Sequence, residues 1–191
     1  MARHLEFDRN EVVLRAVDAF WQDGYEGSPA LEIAEVMGVA KSSLYNTFGS
    51  KKKLFLESLN HYACSQRAKV FALSKSEDVV VQLRKMLLEA GSDNSAGRGC
   101  LLVNTATEFG SRDEDVRQHV KVGFDGMRDA FAALIRAGQR AGHINTDVNP
   151  QKYAVILVAG IAGLRVLAKG GFSEADLSPV VKSMLAGLLK Q

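Results

Sequence analysis

Between Lys41 and Lys53 the chain carries four lysines and no acid. Within that stretch Lys41, Ser42, Ser43, Tyr45, Asn46 and Thr47 present ammonium, hydroxyl and amide groups on short or amphipathic side chains. Such groups hydrogen-bond to base edges and phosphate oxygens, the chemistry of duplex DNA recognition. No catalytic constellation competes with it. The four histidines (His4, His61, His119 and His143) are scattered with no i,i+4 pair, and neither cysteine has a cysteine neighbour. No metal site is therefore expected. The glycines of GSDNSAGRG follow no strand and precede no Lys-Ser or Lys-Thr, so they do not form a phosphate loop. A Ser or Cys nucleophile with a matched base is left unsupported. The chain is expected to be no enzyme and to need no cofactor.

Groups that read DNA must be held on a defined surface. Ile33, Ala34 and Met37 recur at helical spacing and give one apolar face to a helix from about Pro29 to Met37. Gly38 supplies the positive φ that a helix end needs, Val39 plugs the angle, and Leu44 with Phe48 forms the inward face of a second helix. The arrangement is a helix-turn-helix whose second helix is offered to a major groove. An ordinary αα-hairpin, with Lys51, Lys52 and Lys53 as a solvated helix start, is the competing reading. Against it stand the short glycine turn, the acid-free lysine cluster and an outward face uncharged apart from Lys41. A helical adaptor that binds only protein would show no salt-dependent affinity for duplex DNA. Ser28 followed by Pro29 reads as a hydroxyl cap with Pro at the first helical position. Ala40, by contrast, offers no capping oxygen, an omission that costs about 1 kcal/mol locally.

The remaining pattern is helical throughout. Helices are expected at about Asp8 to Asp23, Lys51 to Leu73, Asp78 to Ala90, Leu101 to Phe109, Asp113 to Ala141, Pro150 to Lys169, and Ser173 or Asp176 to Leu189. A glycine- and serine-rich loop fills Gly91 to Gly99, and GHINTDVNP is a break with Asp147 or Asn149 capping the next helix. Residues 1–8 read as a loose arm carrying Arg3 and His4. With 191 residues, 47% hydrophobic and 24% charged, the chain can bury a proper core as a soluble globular protein. No stretch is expected to span a membrane, since Tyr153 to Ala168 is short and interrupted by Arg165. The opening MARHLEFDRN lacks the apolar core of a signal peptide, and two cysteines are too few for a disulfide framework. A cytoplasmic protein with no membrane partner is expected.

Charge alone does not say nucleic acid. The net charge is +2, and residues 1–60 hold seven Lys/Arg against nine Asp/Glu, a net of −2. Local clustering is what phosphates need, because screening limits each charge to a reach of ~8–10 Å. Nonspecific affinity should be modest. Farther along, Ala154 to Leu167 is apolar on nearly every side, which means burial all round. One side would pack the chain's own core and the other a second subunit, with Gly160 and Gly163 allowing close approach; a central core helix is the alternative.

The run GVAKSSLYNTFGSKKKLF, preceded by EIAEVM and a helix ending AFWQDGYEG, resembles the tetracycline-repressor (TetR) family of transcriptional regulators. The resemblance covers about Val12 to Leu59, and its most specific part is L-Y-x-x-F-x-S-K-x-x-L-F from Leu44 to Phe55. GCLLVN at Gly99 to Asn104 is similar to one branch of the family. The resemblance implies an all-α homodimer, with a helix-turn-helix domain at residues 1–53 and a ligand-binding and dimerisation domain at 54–191. It implies a repressor of double-stranded operator DNA that a small-molecule inducer releases, an activator being the alternative. By family position Lys41, Ser42 and Asn46 reach bases, Tyr45, Thr47 and Lys51 hold phosphates, Ser43 shares the recognition helix, and Ser28 meets a phosphate. A cavity for a small, mostly hydrophobic ligand is implied, to which Asn104 and Glu108, at i,i+4 on one face, would add polar groups; a plain solvent face is the alternative. Dimerisation through the last two long helices would add Leu164, Leu185 and Leu188 to Gly160 and Gly163. Cys100 follows Arg98 and Gly99 at a helix start, where thiolate is favoured, and is similar in position to cysteines that sense oxidants or electrophiles in that branch. A packed thiol is the other reading, and Cys64 is a candidate resolving partner.

Overall fold

The computed structural model describes residues 8–38, 40–92 and 97–189. Arg3, His4, Val39, the middle of the Gly91–Gly99 loop and the side chain of Met37 lie outside the described residues. Among the described residues there are nine α-helices and no strand: α1 (Arg9–Asp23), α2 (Ala30–Met37), α3 (Lys41–Phe48), α4 (Lys51–Leu73), α5 (Val79–Ala90), α6 (Leu101–Phe109), α7 (Glu114–Arg140), α8 (Pro150–Lys169) and α9 (Glu174–Ala186). The all-α expectation holds. The helices form two compact units, the first ending at Ala63 and taking in Leu101–Lys121, the second made by Cys64–Cys100 and the chain from Val122 onward. The first unit is therefore larger than residues 1–53. It includes α6 and the start of α7 because α6 packs on α1 and brings Phe109 against Tyr25 and Phe55.

In the first unit the Asp8 carboxylate caps α1 by accepting from the Asn10 amide at 2.8 Å, and Val12, Val13, Ala16, Val17 and Phe20 form the buried stripe. Phe20 meets Phe55 edge-on at 4.9 Å between centroids, and Tyr25 lies 5.0 Å from Phe55 and 5.2 Å from Phe109. Aromatic rings at such separations attract beyond the area they bury. This cluster ties α1, α4 and α6 together. At the start of α1, the Arg9 guanidinium lies 5.0 Å over the Phe48 ring and pairs with Glu57 at 2.6 Å, bracing the end of α3 against α4.

In the second unit α5, α8 and α9 pack on one another around Leu83, Leu87, Leu157, Val181 and Leu185, with Phe131 and Leu134 of α7 in the same core. The helix starts follow the expected signals. Asp78 caps α5, Asn149 caps α8, and Ser173 with Asp176 closes a reciprocal capping box on α9. In the break before α8 the Gln139 side-chain amide donates to the carbonyls of Asn145 and Val148, satisfying backbone that no helix serves.

α8 runs over Pro150–Lys169, as expected. An 18-residue window of it, at a mean hydropathy of 1.5, is long and apolar enough by length and composition to cross a membrane, which corrects the expectation that the apolar stretch is too short. The helix also faces its neighbours differently from the expected interface. Leu164, Leu185 and Leu188 are fully or almost fully buried in the chain's own core. A Cβ on Gly160 would stand 2.2 Å from Met184 Cε, so that glycine makes room for α9 of the same chain. Only Gly163 of the expected set opens onto free space, beside the exposed side chains of Val155, Ile156 and Val166. Apolarity on all sides reveals burial but not which side is buried against what.

The end of α9 is fixed by Tyr153, whose hydroxyl donates to the Met184 carbonyl at 2.7 Å and is held protonated by burial. A Cβ on Gly187 would come within 2.3 Å of that hydroxyl and 3.1 Å of the ring. Tyr153→Phe should lower stability by about 1 kcal/mol through the lost hydrogen bond. Gly187→Ala should lower it by roughly 1–3 kcal/mol, because a rigid ring must move. Denaturant unfolding of the two variants checks the order.

Candidate nucleic-acid interface

α2 ends at Gly38 in the left-handed region (φ 68, ψ 28), and its amide reaches back to Ala34 and Glu35. α3 follows after Ala40, which is extended and gives no side-chain cap, as the residue type requires. Leu44 and Phe48 are buried, and Lys41, Ser42, Tyr45 and Asn46 are exposed, with Ser43 and Thr47 partly so. Six of the expected DNA-contact side chains thus share the outer surface of one helix. Lys41 Nζ lies 6.0 Å from the Tyr45 ring centroid, a loose contact that leaves the ammonium available to an anion. Gly49 (φ 80) ends α3, and the Ser50 hydroxyl accepts from the Lys53 amide at 3.1 Å, a cap on α4 that sequence reading missed.

The three lysines that open α4 have different fates. Lys51 Nζ stands 4.2 Å over the Tyr25 ring, the geometry of a cation–π contact, at a helix amino terminus suited to phosphate. Lys53 is exposed beside Gly49. Lys52 turns to α7, 2.9 Å from Asp113 and 2.8 Å from Asp115. The cluster is therefore less of a phosphate-binding unit than its composition suggests, because one of its charges is committed within the protein.

Two expected site residues are placed elsewhere. Ser28 is buried, with its hydroxyl donating to the Gly24 carbonyl at 2.6 Å, and the cap position of α2 falls to Pro29. Its hydroxyl closes the loop between α1 and α2, so burial removes it from the phosphate-contact set. Glu108, expected on a ligand cavity, places its two carboxylate oxygens on the amides of Tyr25 (3.1 Å) and Glu26 (2.9 Å). A carboxylate that accepts two backbone N–H groups is satisfied by protein. An open groove of about 210 Å³ borders it, lined by Tyr25, Glu26, Phe109, Arg112 and Asp113. Its engaged carboxylates and the Arg112 guanidinium, which donates to the Glu108 and Phe109 carbonyls, do not suit a mostly hydrophobic ligand. Asn104 is half-buried on α6. Cys100, immediately before α6, is buried, whereas Cys64 on α4 is exposed.

The Lys52 pair has a defined pH window. The hydrogen bonds that Lys52 donates to Asp113 and then Asp115 push it up to about 12 from an ordinary 10.5. The Lys52 hydrogen bond, followed by the Val116 amide, holds Asp113 below its ordinary 3.8. The lowered carboxylate contributes stability above its unfolded value, lost as pH falls through the folded one. The raised ammonium contributes fully below 10.5, and that contribution is lost as pH rises through about 12. The difference in Tm between the parent and Asp113→Asn should be flat from about pH 5 to about pH 10 and close below about pH 4. Thermal melting across that range checks it.

The chain can now be set beside known proteins. Residues 13–58 match the family model "Bacterial regulatory proteins, tetR family", and residues 80–175 match "Tetracyclin repressor-like, C-terminal domain". A solved structure of a cysteine-substituted variant of the TetR-family regulator CifR, complexed with 26-bp double-strand operator DNA, is similar at a TM-score of 0.80 and 29% identity over 98% of this chain and 100% of that one. Among curated relatives, the HTH-type transcriptional repressor ComR of Escherichia coli (strain K12) is 24% identical over 94% of this chain and 88% of its own. The HTH-type transcriptional repressor DhaR of Mycobacterium sp. (strain GP1) is 28% identical over 81% of this chain and 79% of its own. The helix-turn-helix geometry and both family models agree: the chain belongs to the TetR family of DNA-binding transcriptional regulators, not to a family of enzymes.

Proposed function

We propose that this regulator is a repressor that binds operator DNA as a homodimer and is released by a small, mostly hydrophobic inducer. The observation that carries the reading is α3 itself, with Lys41, Ser42, Tyr45 and Asn46 exposed along one surface and Lys51 at the adjoining start of α4. Repression is favoured over activation by the repressor names of ComR and DhaR and by the operator-bound state of the CifR variant. Lys41, Ser42 and Asn46 read bases in this proposal, while Tyr45, Thr47 and Lys51 hold phosphates. Release is a population shift: the inducer prefers a state in which the two recognition helices no longer match successive major grooves, about 34 Å apart. Burial of Cys100 favours a non-covalent inducer, with Asn104 as a polar contact for it.

The dimer rests on α8. Only 28% of its apolar window is buried within the chain, and Val155, Ile156 and Val166 project from it at roughly half exposure. An apolar stripe of that kind needs cover, and a second copy of the same helix across a two-fold axis supplies it. Gly163, with nothing within 4 Å of its Cβ position, permits the close approach.

Lys51→Ala should weaken binding to all duplexes alike and lower the salt slope by about 1, whereas Ser42→Ala or Asn46→Ala should change which sequence is preferred. Fluorescence polarisation on duplexes from upstream of the protein's own gene, over a range of NaCl, separates the two. Reversal of these effects between Lys51 and Asn46 would reverse their roles. Ile156→Glu should yield a folded monomer by sedimentation, with binding to a two-half-site duplex lost. A dimer that survives this charge would move the interface off α8.

A further inference from the structure

We propose that Glu108 is a positioning residue for DNA binding: by holding the Tyr25 and Glu26 amides it sets the aromatic ring on which Lys51 rides. The proposal rests on the reading of Lys51 as a phosphate contact and names what places that charge. Glu108 lies 83 and 82 residues from the two amides it accepts, so the clamp is a product of tertiary structure and not of local turn geometry. The backbone is prepared for it. Gly24 has φ 74, and a Cβ there would stand 3.0 Å from one Glu108 oxygen and 3.3 Å from the other. Only glycine both adopts that conformation and leaves room for the carboxylate.

Tyr25 is then held twice from the same end of α6. Glu108 takes its backbone amide, and Phe109, the next residue, packs on its ring at 5.2 Å between centroids. Phe55 adds a second ring contact at 5.0 Å, beside Phe109. On the ring so fixed, Lys51 Nζ stands 4.2 Å from the centroid. The ring face confines a long, rotamer-rich side chain without neutralising its charge, which leaves the ammonium pre-placed for a phosphate. A carboxylate partner would have cancelled the charge, as Asp113 and Asp115 do for Lys52. Contact thus passes from α6 to Tyr25 and from Tyr25 to Lys51, all within one compact unit.

A clamp that merely stabilises the loop makes a different forecast. The test is a double-mutant cycle on the full-length protein, using a random-sequence duplex as probe, since a phosphate contact does not depend on sequence. Binding is followed by fluorescence polarisation over a range of NaCl at a temperature where melting shows every variant folded. Lys51→Ala should lower the salt slope by about 1. Glu108→Ala should weaken binding by roughly two- to fivefold and lower the slope in the same sense, the fold-change of a lost surface cation–π restraint. In the Lys51→Ala background the same substitution should change affinity by much less. Glu108→Gln, which keeps one acceptor and is the variant to use if alanine unfolds the unit, should fall between parent and alanine. Equal losses in both backgrounds, or an unchanged slope in both Glu108 variants, would reduce Glu108 to a structural staple and overturn the proposal while leaving Lys51 in place. An unchanged slope in Lys51→Ala would instead remove the phosphate contact, and the positioning role with it.

Discussion

The DNA-reading surface stands on two helices of eight residues each, α2 and α3, and helices of that length do not hold together alone in water, where about 12–15 residues is already marginal. α3 also lacks a side-chain cap at Ala40. Its persistence depends on burial of Leu44 and Phe48 and on what surrounds them. Arg9 covers Phe48 while pairing with Glu57, and the Phe20, Tyr25, Phe55 and Phe109 rings join the helices behind. The recognition helix is thus a product of the first unit as a whole, which is why α6 and the start of α7 belong to that unit.

Much of this fold is legible in the sequence because helix boundaries are local chemistry. Glycine after α1, α2 and α3, Asp78 before α5, Asn149 before α8 and Ser173 before α9 all act where their types suggest. The inward and outward faces of α3 follow from spacing alone. What the sequence hides is partnership. Glu108 and Asn104 share a helix face, yet nothing near position 108 announces amides 82 and 83 residues earlier. Lys52 sits between Lys51 and Lys53 as one of three equal charges until the fold brings Asp113 and Asp115 to it. Ser28 failed for a subtler reason: the loop before α2 folds back so that its hydroxyl closes on Gly24 before it can meet anything outside. Likewise α8 is apolar all round, and only the packing shows that Leu164 looks inward while Val155 and Ile156 look out.

Charge completes the picture. Residues 1–60 carry a net charge of −2, and one of the four lysines between Lys41 and Lys53 is spent inside the protein. Long-range attraction to the polyanion is therefore weak, since exposed charges act over only ~8–10 Å at ordinary ionic strength. Affinity must come from a few contacts held in register rather than from a field. Each phosphate contact then matters in proportion to how well it is placed, which would give the aromatic seat of Lys51, in the phosphate-binding role proposed for it, a purpose that a basic surface would not need. A protein that binds by fit is also one that a modest rearrangement can release, because misplacing a few contacts removes most of what holds it to DNA. Weak bulk charge and rigid local placement are thus two sides of one design, suited to the inducible repressor proposed above.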